Sequence, residues 1–179
     1  MVIAVVAAVV VLVLLVGLAV VYNRLVRDRN RVRHTWADID ALLVRRAAAI
    51  PRLAGIVDAA FDHERETLQE VAQARAAVEA AGGGPTLEHG AAERRLGVAG
   101  QRLVAVAEAY PELHAQAATA DLIAALKDVE GDLARARMVY NRTVQTYEDR
   151  RRALPGALVA GPLGFRHEPY WQPSEPIVG

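Results

Sequence analysis

A chain of 179 residues is the size of one domain, and enough remains outside its apolar first segment to bury a helical core. Its 21 basic and 21 acidic residues cancel, and none precedes Arg24, so nothing in the charge balance points to a nucleic-acid partner. The absence of cysteine excludes a disulfide framework, thiol catalysis and thiolate metal sites, and leaves stability to packing.

Residues 2–22 run VIAVVAAVVVLVLLVGLAVVY without a charge. At about 1.5 Å per residue such a helix is about 30 Å long, the thickness of a bilayer's hydrocarbon core. Residues 1–23 are therefore expected to form a transmembrane anchor. A cleaved signal peptide fits less well, because no basic segment precedes the run, the run is long, and no small-x-small cleavage site follows. Arg24, Arg27, Arg29, Arg31 and Arg33 follow it against one acid, Asp28, whereas only Met1 precedes it. The positive-inside rule then predicts a single-pass protein of the inner (plasma) membrane, with its amino terminus outside, its C-terminal domain cytoplasmic, and Tyr22 at the boundary. The same arginines are candidates for attraction to anionic lipid headgroups.

Residues 24–153 read as an all-α bundle. Apolar residues recur at helical steps in Leu25, Val32, Trp36, Ile39 and Leu43, with Arg29 as the interruption. A second stripe, Leu53, Val57, Ala60, Leu68, Val71 and Val78, must end at Gly82-Gly83-Gly84-Pro85, which reads as a flexible connection. The third runs Ala92, Leu96, Ala99, Leu103, Val106 and Tyr110 up to Pro111, and the fourth from Leu122 to Tyr147. Pro51 is read as a turn. Splitting there gives four helices of about 26, 30, 23 and 34 residues that match as an antiparallel bundle, and three helices would follow if Pro51 only kinked the first. Seven arginines against three acids in residues 24–50 face three arginines against six acids in residues 51–80, so these neighbours would attract. The fourth helix would return Arg150, Arg151 and Arg152 to the membrane surface. Residues 154–179, rich in proline and glycine yet still apolar, are expected to form an extended tail that packs or touches membrane.

Candidate chemistry is sparse. The histidines are scattered, and Asp62-His63-Glu64, the one dense ligand-like cluster, consists of neighbours that point in different directions on a helix. No nucleophile elbow, Walker loop or dinucleotide fingerprint occurs, so neither enzymatic activity nor a cofactor is expected. Trp36 and Tyr140 lie on stripes and read as core aromatics. Asn30 and Asn141 stand beside the first and last stripes, where they would either hydrogen-bond across the bundle and fix its register or face solvent. Asp38, Asp40, Glu130 and Arg135 are the polar groups available to a ligand site between helices.

Several segments in order resemble the LemA family: Tyr22-Asn23-Arg24-Leu25-Val26-Arg27 with Asn30, then Trp36-Ala37-Asp38-Ile39-Asp40, Arg45-Arg46 and Ile50-Pro51-Arg52-Leu53. Further on come Ala107-Glu108-Ala109-Tyr110-Pro111, Ala134-Arg135-Ala136-Arg137 with Tyr140-Asn141, and Leu163-Gly164-Phe165 ahead of Pro169-Tyr170. The resemblance implies a bacterial membrane-anchored bundle of four long helices without an established enzymatic activity. The expected role is a scaffold or interaction module whose partners are the bilayer and a membrane-associated protein. The alternative is a small-ligand or lipid sensor with a site between helices. A homo-oligomer is a further expectation, because coiled-coil stripes can pair between chains as well as within one.

Overall fold

The computed structural model describes residues 1–60 and 64–171, and among these residues it holds helices and no strand. The helices are α1 (Val2–Ala60), α2 (Arg65–Ala81), α3 (Leu87–Ala109), the single turn α4 (Pro111–His114), α5 (Ala117–Arg152) and the short α6 (Gly156–Ala160). Residues 2–20 of α1 are exposed throughout, and this part of the helix is long and apolar enough to cross a membrane. Further along the same helix, Leu25, Asp28, Val32, Ile39, Leu43, Arg46, Ile50, Leu53 and Val57 are buried. Their steps of three, four or seven make one seam that faces the rest of the bundle throughout.

The turn expected at Pro51 is not there, because α1 continues through Pro51 for nine more residues. Proline removes one backbone bond and crowds the preceding turn at a cost of about 3 kcal/mol. Ile50, Leu53 and Val57 are each at most 1 % exposed, and burying three such side chains contributes more than that cost. Among the described residues α1 ends at Ala60 and α2 begins at Arg65, which gives four long helices with the first boundary later than expected. The glycine connection is a bend. Gly82 and Gly84 take positive φ of 67° and 94°, the Thr86 side chain accepts the His89 amide at 3.1 Å, and His89 Nδ1–H donates to the Gly84 carbonyl at 2.8 Å.

α1 and α5 lie antiparallel, as the pairs Asp28–Arg150, Trp36–Tyr140 and Arg46–Glu130 require. α2 and α3 form a hairpin against the far half of this pair, with Arg102 bound to Glu70 across it. Two apolar clusters result. The far one joins Ile50, Leu53 and Val57 to Val71, Leu96, Leu103, Ile123 and Leu126 from the other three long helices. Among the described residues the near one draws on two long helices, with Leu25, Val32, Ile39 and Leu43 against Leu133, Tyr140, Val144 and Tyr147. The missing wall is supplied by Ala160, Phe165 and Trp171 of the carboxy-terminal segment. That segment therefore packs as part of the core and contains a short helix, where an extended tail was expected; residues 172–179 of the expected tail lie outside the described residues.

Candidate functional site

Where the two clusters meet, the apolar seams are interrupted by charge. Arg46 occupies a seam position of α1, Glu93 of α3, and Glu130 and Arg137 of α5. Arg46 Nη1 donates to Glu130 Oε1 at 2.9 Å, and its Nη2 donates both to the Glu93 carboxylate and to the Glu93 carbonyl at 2.7 Å. The Arg46 and Glu93 side chains are 5 % and 6 % exposed, so this ion pair sits in a low-dielectric interior where removing either member strands the other. His89 completes the network, with Nε2 3.3 Å from the second Glu93 oxygen. Gly97 leaves room for it, since a Cβ there would stand 2.9 Å from Arg46 Nη1.

Beside this network lies a cleft of about 170 Å³ lined by Arg46, Glu93, Arg94, Glu130, Arg137 and Trp171 among others. Three guanidinium groups against two carboxylates leave it one net positive charge. Burial pulls the Arg137 guanidinium below its ordinary pKa, Arg46 and Arg94 push the same way, and Glu130 opposes them. Arg137 Nε is buried without a hydrogen-bond partner among the described residues. With three guanidinium groups in its lining, the cleft has the means to hold a small anion.

The near end of the bundle is closed by a strap. Tyr140 donates to the Pro169 carbonyl at 2.9 Å and Tyr147 to the Arg166 carbonyl at 2.8 Å. Asn141 makes a two-way bond with Trp171, its Nδ2 donating to the carbonyl at 3.0 Å and its Oδ1 accepting from the amide at 2.9 Å. The Trp171 ring then packs edge-on against Trp36 at 4.8 Å and His89 at 5.4 Å, and Trp36 against Tyr140 at 5.6 Å. Glu148, 2 % exposed, accepts from the Glu168 amide at 3.1 Å and faces Arg151, Arg152 and His167. Burial alone would raise its carboxyl, but the hydrogen bonds from Arg151, the Glu168 amide and His167 outweigh burial and hold it below its ordinary value.

The residues singled out from sequence separate into two groups. Arg24, Arg27 and Arg31 are exposed and form one shallow polar surface with Asp28 and Arg150; Arg33 is exposed as well. Tyr22 is exposed at the same level and meets Phe165 edge-on at 5.7 Å. Arg29 instead turns inward to Glu168 at 3.5 Å. Arg150 binds both Asp28 oxygens, at 2.7 and 2.6 Å, so the charged member of the first seam is Asp28 rather than Arg29. Arg151 and Arg152 pair with Glu148, which leaves the Arg150–Arg152 run committed to carboxylates. Trp36, Tyr140 and Asn141 come together around Trp171, whereas Asn30 is exposed. Of the four groups considered for a ligand site, Glu130 lines the cleft, while Asp38, Asp40 and Arg135 are exposed. Asp62 and His63 lie outside the described residues.

Sequence reasoning missed Arg46, Glu93 and Arg137 as site residues. Their signal is charge at a heptad seam position, which a count of apolar recurrences skips over. Compared with known families, the LemA family model matches residues 35–176. Compared with curated proteins, the chain finds no match.

Proposed function

Because the chain belongs to the LemA family, matched over most of its length, we propose that it is a non-enzymatic interaction module held at the cytoplasmic face of a bacterial inner membrane by a single transmembrane helix. One observation carries this reading: the exposed apolar stretch and the seam that organises the bundle belong to one unbroken helix, α1. A continuous helix transmits position, so a membrane-embedded Val2–Tyr22 would hold the bundle at a set height above the lipid. The arginine surface of Arg24, Arg27 and Arg31 supports the orientation through the positive-inside rule.

Alkaline extraction of membranes from cells tests the anchor. The full chain stays with the lipid pellet and a chain lacking residues 1–22 does not; release of the full chain would refute the reading. Crosslinking in intact cells followed by mass spectrometry tests the scaffold role, and failure to recover any protein partner counts against it.

The polar cleft favours a second reading, a sensor of a small anionic ligand. Its net positive charge and the buried Arg137 Nε suit a carboxylate or phosphate. A thermal-shift screen against small carboxylates, phosphate and nucleotides decides between the two. A concentration-dependent rise in melting temperature that Arg137→Met abolishes would promote the sensor.

A further inference from the structure

α6 and its flanking turns lie beside the apolar run of α1, below the bundle. Between them is a groove of about 630 Å³ whose walls include Val11, Leu14, Leu15 and Leu18 on one side and Leu158 and Val159 on the other. Val159 is buried against α1, while Leu154, Leu158 and Leu163 remain 75 %, 72 % and 49 % exposed. Residues 153–165 carry no charge and are bounded by Arg152 and Arg166. Leu14 lies ten residues before Arg24, or about 15 Å along the helix axis, half the thickness of a hydrocarbon core.

We propose that residues 154–164 are a second membrane-inserted element, in which α6 enters one leaflet beside α1 and lipid acyl chains fill the groove between them. The proposal rests on the reading of α1 as a membrane anchor. Lipid is the occupant because the groove is continuous with an exposed uncharged helix that requires the same solvent. The backbone supports part of this. A segment placed in hydrocarbon must satisfy its amides internally, and here Ala157 bonds to Ala153, Leu158 to Pro155, Leu163 to Val159 and Gly164 to Gly161, at 3.0 to 3.2 Å. Pro155 and Pro162 have no amide hydrogen to satisfy. Two points of insertion, α1 and α6, would set the tilt and rotation of the bundle against the membrane plane, which a single helix leaves free.

The absence of cysteine makes the test direct. Leu158→Cys, Leu14→Cys and Val44→Cys variants of the full chain carry an environment-sensitive fluorophore and are reconstituted in phosphatidylcholine–phosphatidylglycerol vesicles with quenchers on the acyl chains. All three positions are exposed. The expected result is lipid quenching at Leu158→Cys comparable with that at Leu14→Cys and at least roughly fivefold above that at Val44→Cys, which lies outside the span. Quenching at Leu14→Cys without quenching at Leu158→Cys overturns the insertion of α6 and leaves the anchor standing. Protection of the Leu158→Cys label from both lipid and aqueous quenchers also overturns it, by assigning the groove to protein. Absence of quenching at Leu14→Cys overturns the anchor itself, and the proposal with it.

Discussion

Arg46→Leu is the most informative single substitution. It strands the Glu93 carboxylate, 6 % exposed, beside His89, and removes the Arg46 ion pair from Glu130. Breaking a buried pair on one side costs about 3–5 kcal/mol. Burying a leucine in its place recovers about 1–2 kcal/mol, because less apolar area is covered than in a full core position. The net loss is about 1–4 kcal/mol, a large share of the roughly 5–15 kcal/mol that typically separates folded from unfolded. At about 2–4 °C per kcal/mol for a chain of this size, the melting temperature should fall by roughly 2–16 °C. Circular dichroism of the full chain in detergent micelles measures it, with the exposed neighbour Arg45→Leu as control, expected within about 0.5 kcal/mol of the parent. The double variant Arg46→Leu/Glu93→Leu should recover part of the loss, because the uncompensated charge is gone. A double variant no more stable than Arg46→Leu, or an Arg46→Leu chain that melts with the parent, would refute the account of a buried pair.

Asn141→Ala removes both bonds to the Trp171 backbone and should cost about 2 kcal/mol, read as a lower melting temperature and faster proteolysis after residue 165. The Glu148 carboxyl is held below its ordinary value, so its contribution is present above the unfolded carboxyl pKa of 4.5 and is lost as pH falls through the lower folded value. The melting-temperature gap between the parent and Glu148→Gln should therefore be open at pH 7 and narrow as the pH is lowered below the unfolded value; a gap independent of pH would remove the charge from the explanation. Gly156→Ala places a Cβ against the Arg150 carbonyl oxygen, which is backbone and cannot yield, so the turn into α6 must open at a cost of about 1–3 kcal/mol. Gly55→Ala, exposed in α1 with nothing within 4 Å of its Cβ, should instead stabilise by about 0.5–1 kcal/mol in the same melt.

The helices were legible because each repeats one face over many turns. Leu25 to Leu43, Leu96 to Leu103 and Leu122 to Tyr147 announced their seams by period alone. Pro51 misled because its cost is local and visible, whereas the burial of Ile50, Leu53 and Val57 that offsets it depends on partners in α3 and α5. The cleft was half legible. Arg46, Glu93, Glu130 and Arg137 fall on the seam steps of their helices, so asking which charged residues occupy apolar positions would have selected them. That Arg46 meets Glu93 and Glu130, separated from it by 47 and 84 residues, is written in no local pattern.

Sequence alone determined the helical class, the uncharged run that ends at Tyr22, the arginines that follow it and the breaks at Gly82 and Pro111. Each of these follows from short-range chemistry: charge, periodicity, and the backbone limits of glycine and proline. The tertiary structure decided where α1 ends, that Asp28 and Arg46 rather than Arg29 interrupt its seam, and that the last segment is a wall of the core strapped down by Tyr140, Asn141 and Tyr147. These outcomes depend on which surfaces remain uncovered once the helices have packed. Two helices cannot bury Leu25, Val32 and Tyr140 between them, and the chain that follows α5 is drawn in to cover what they leave open.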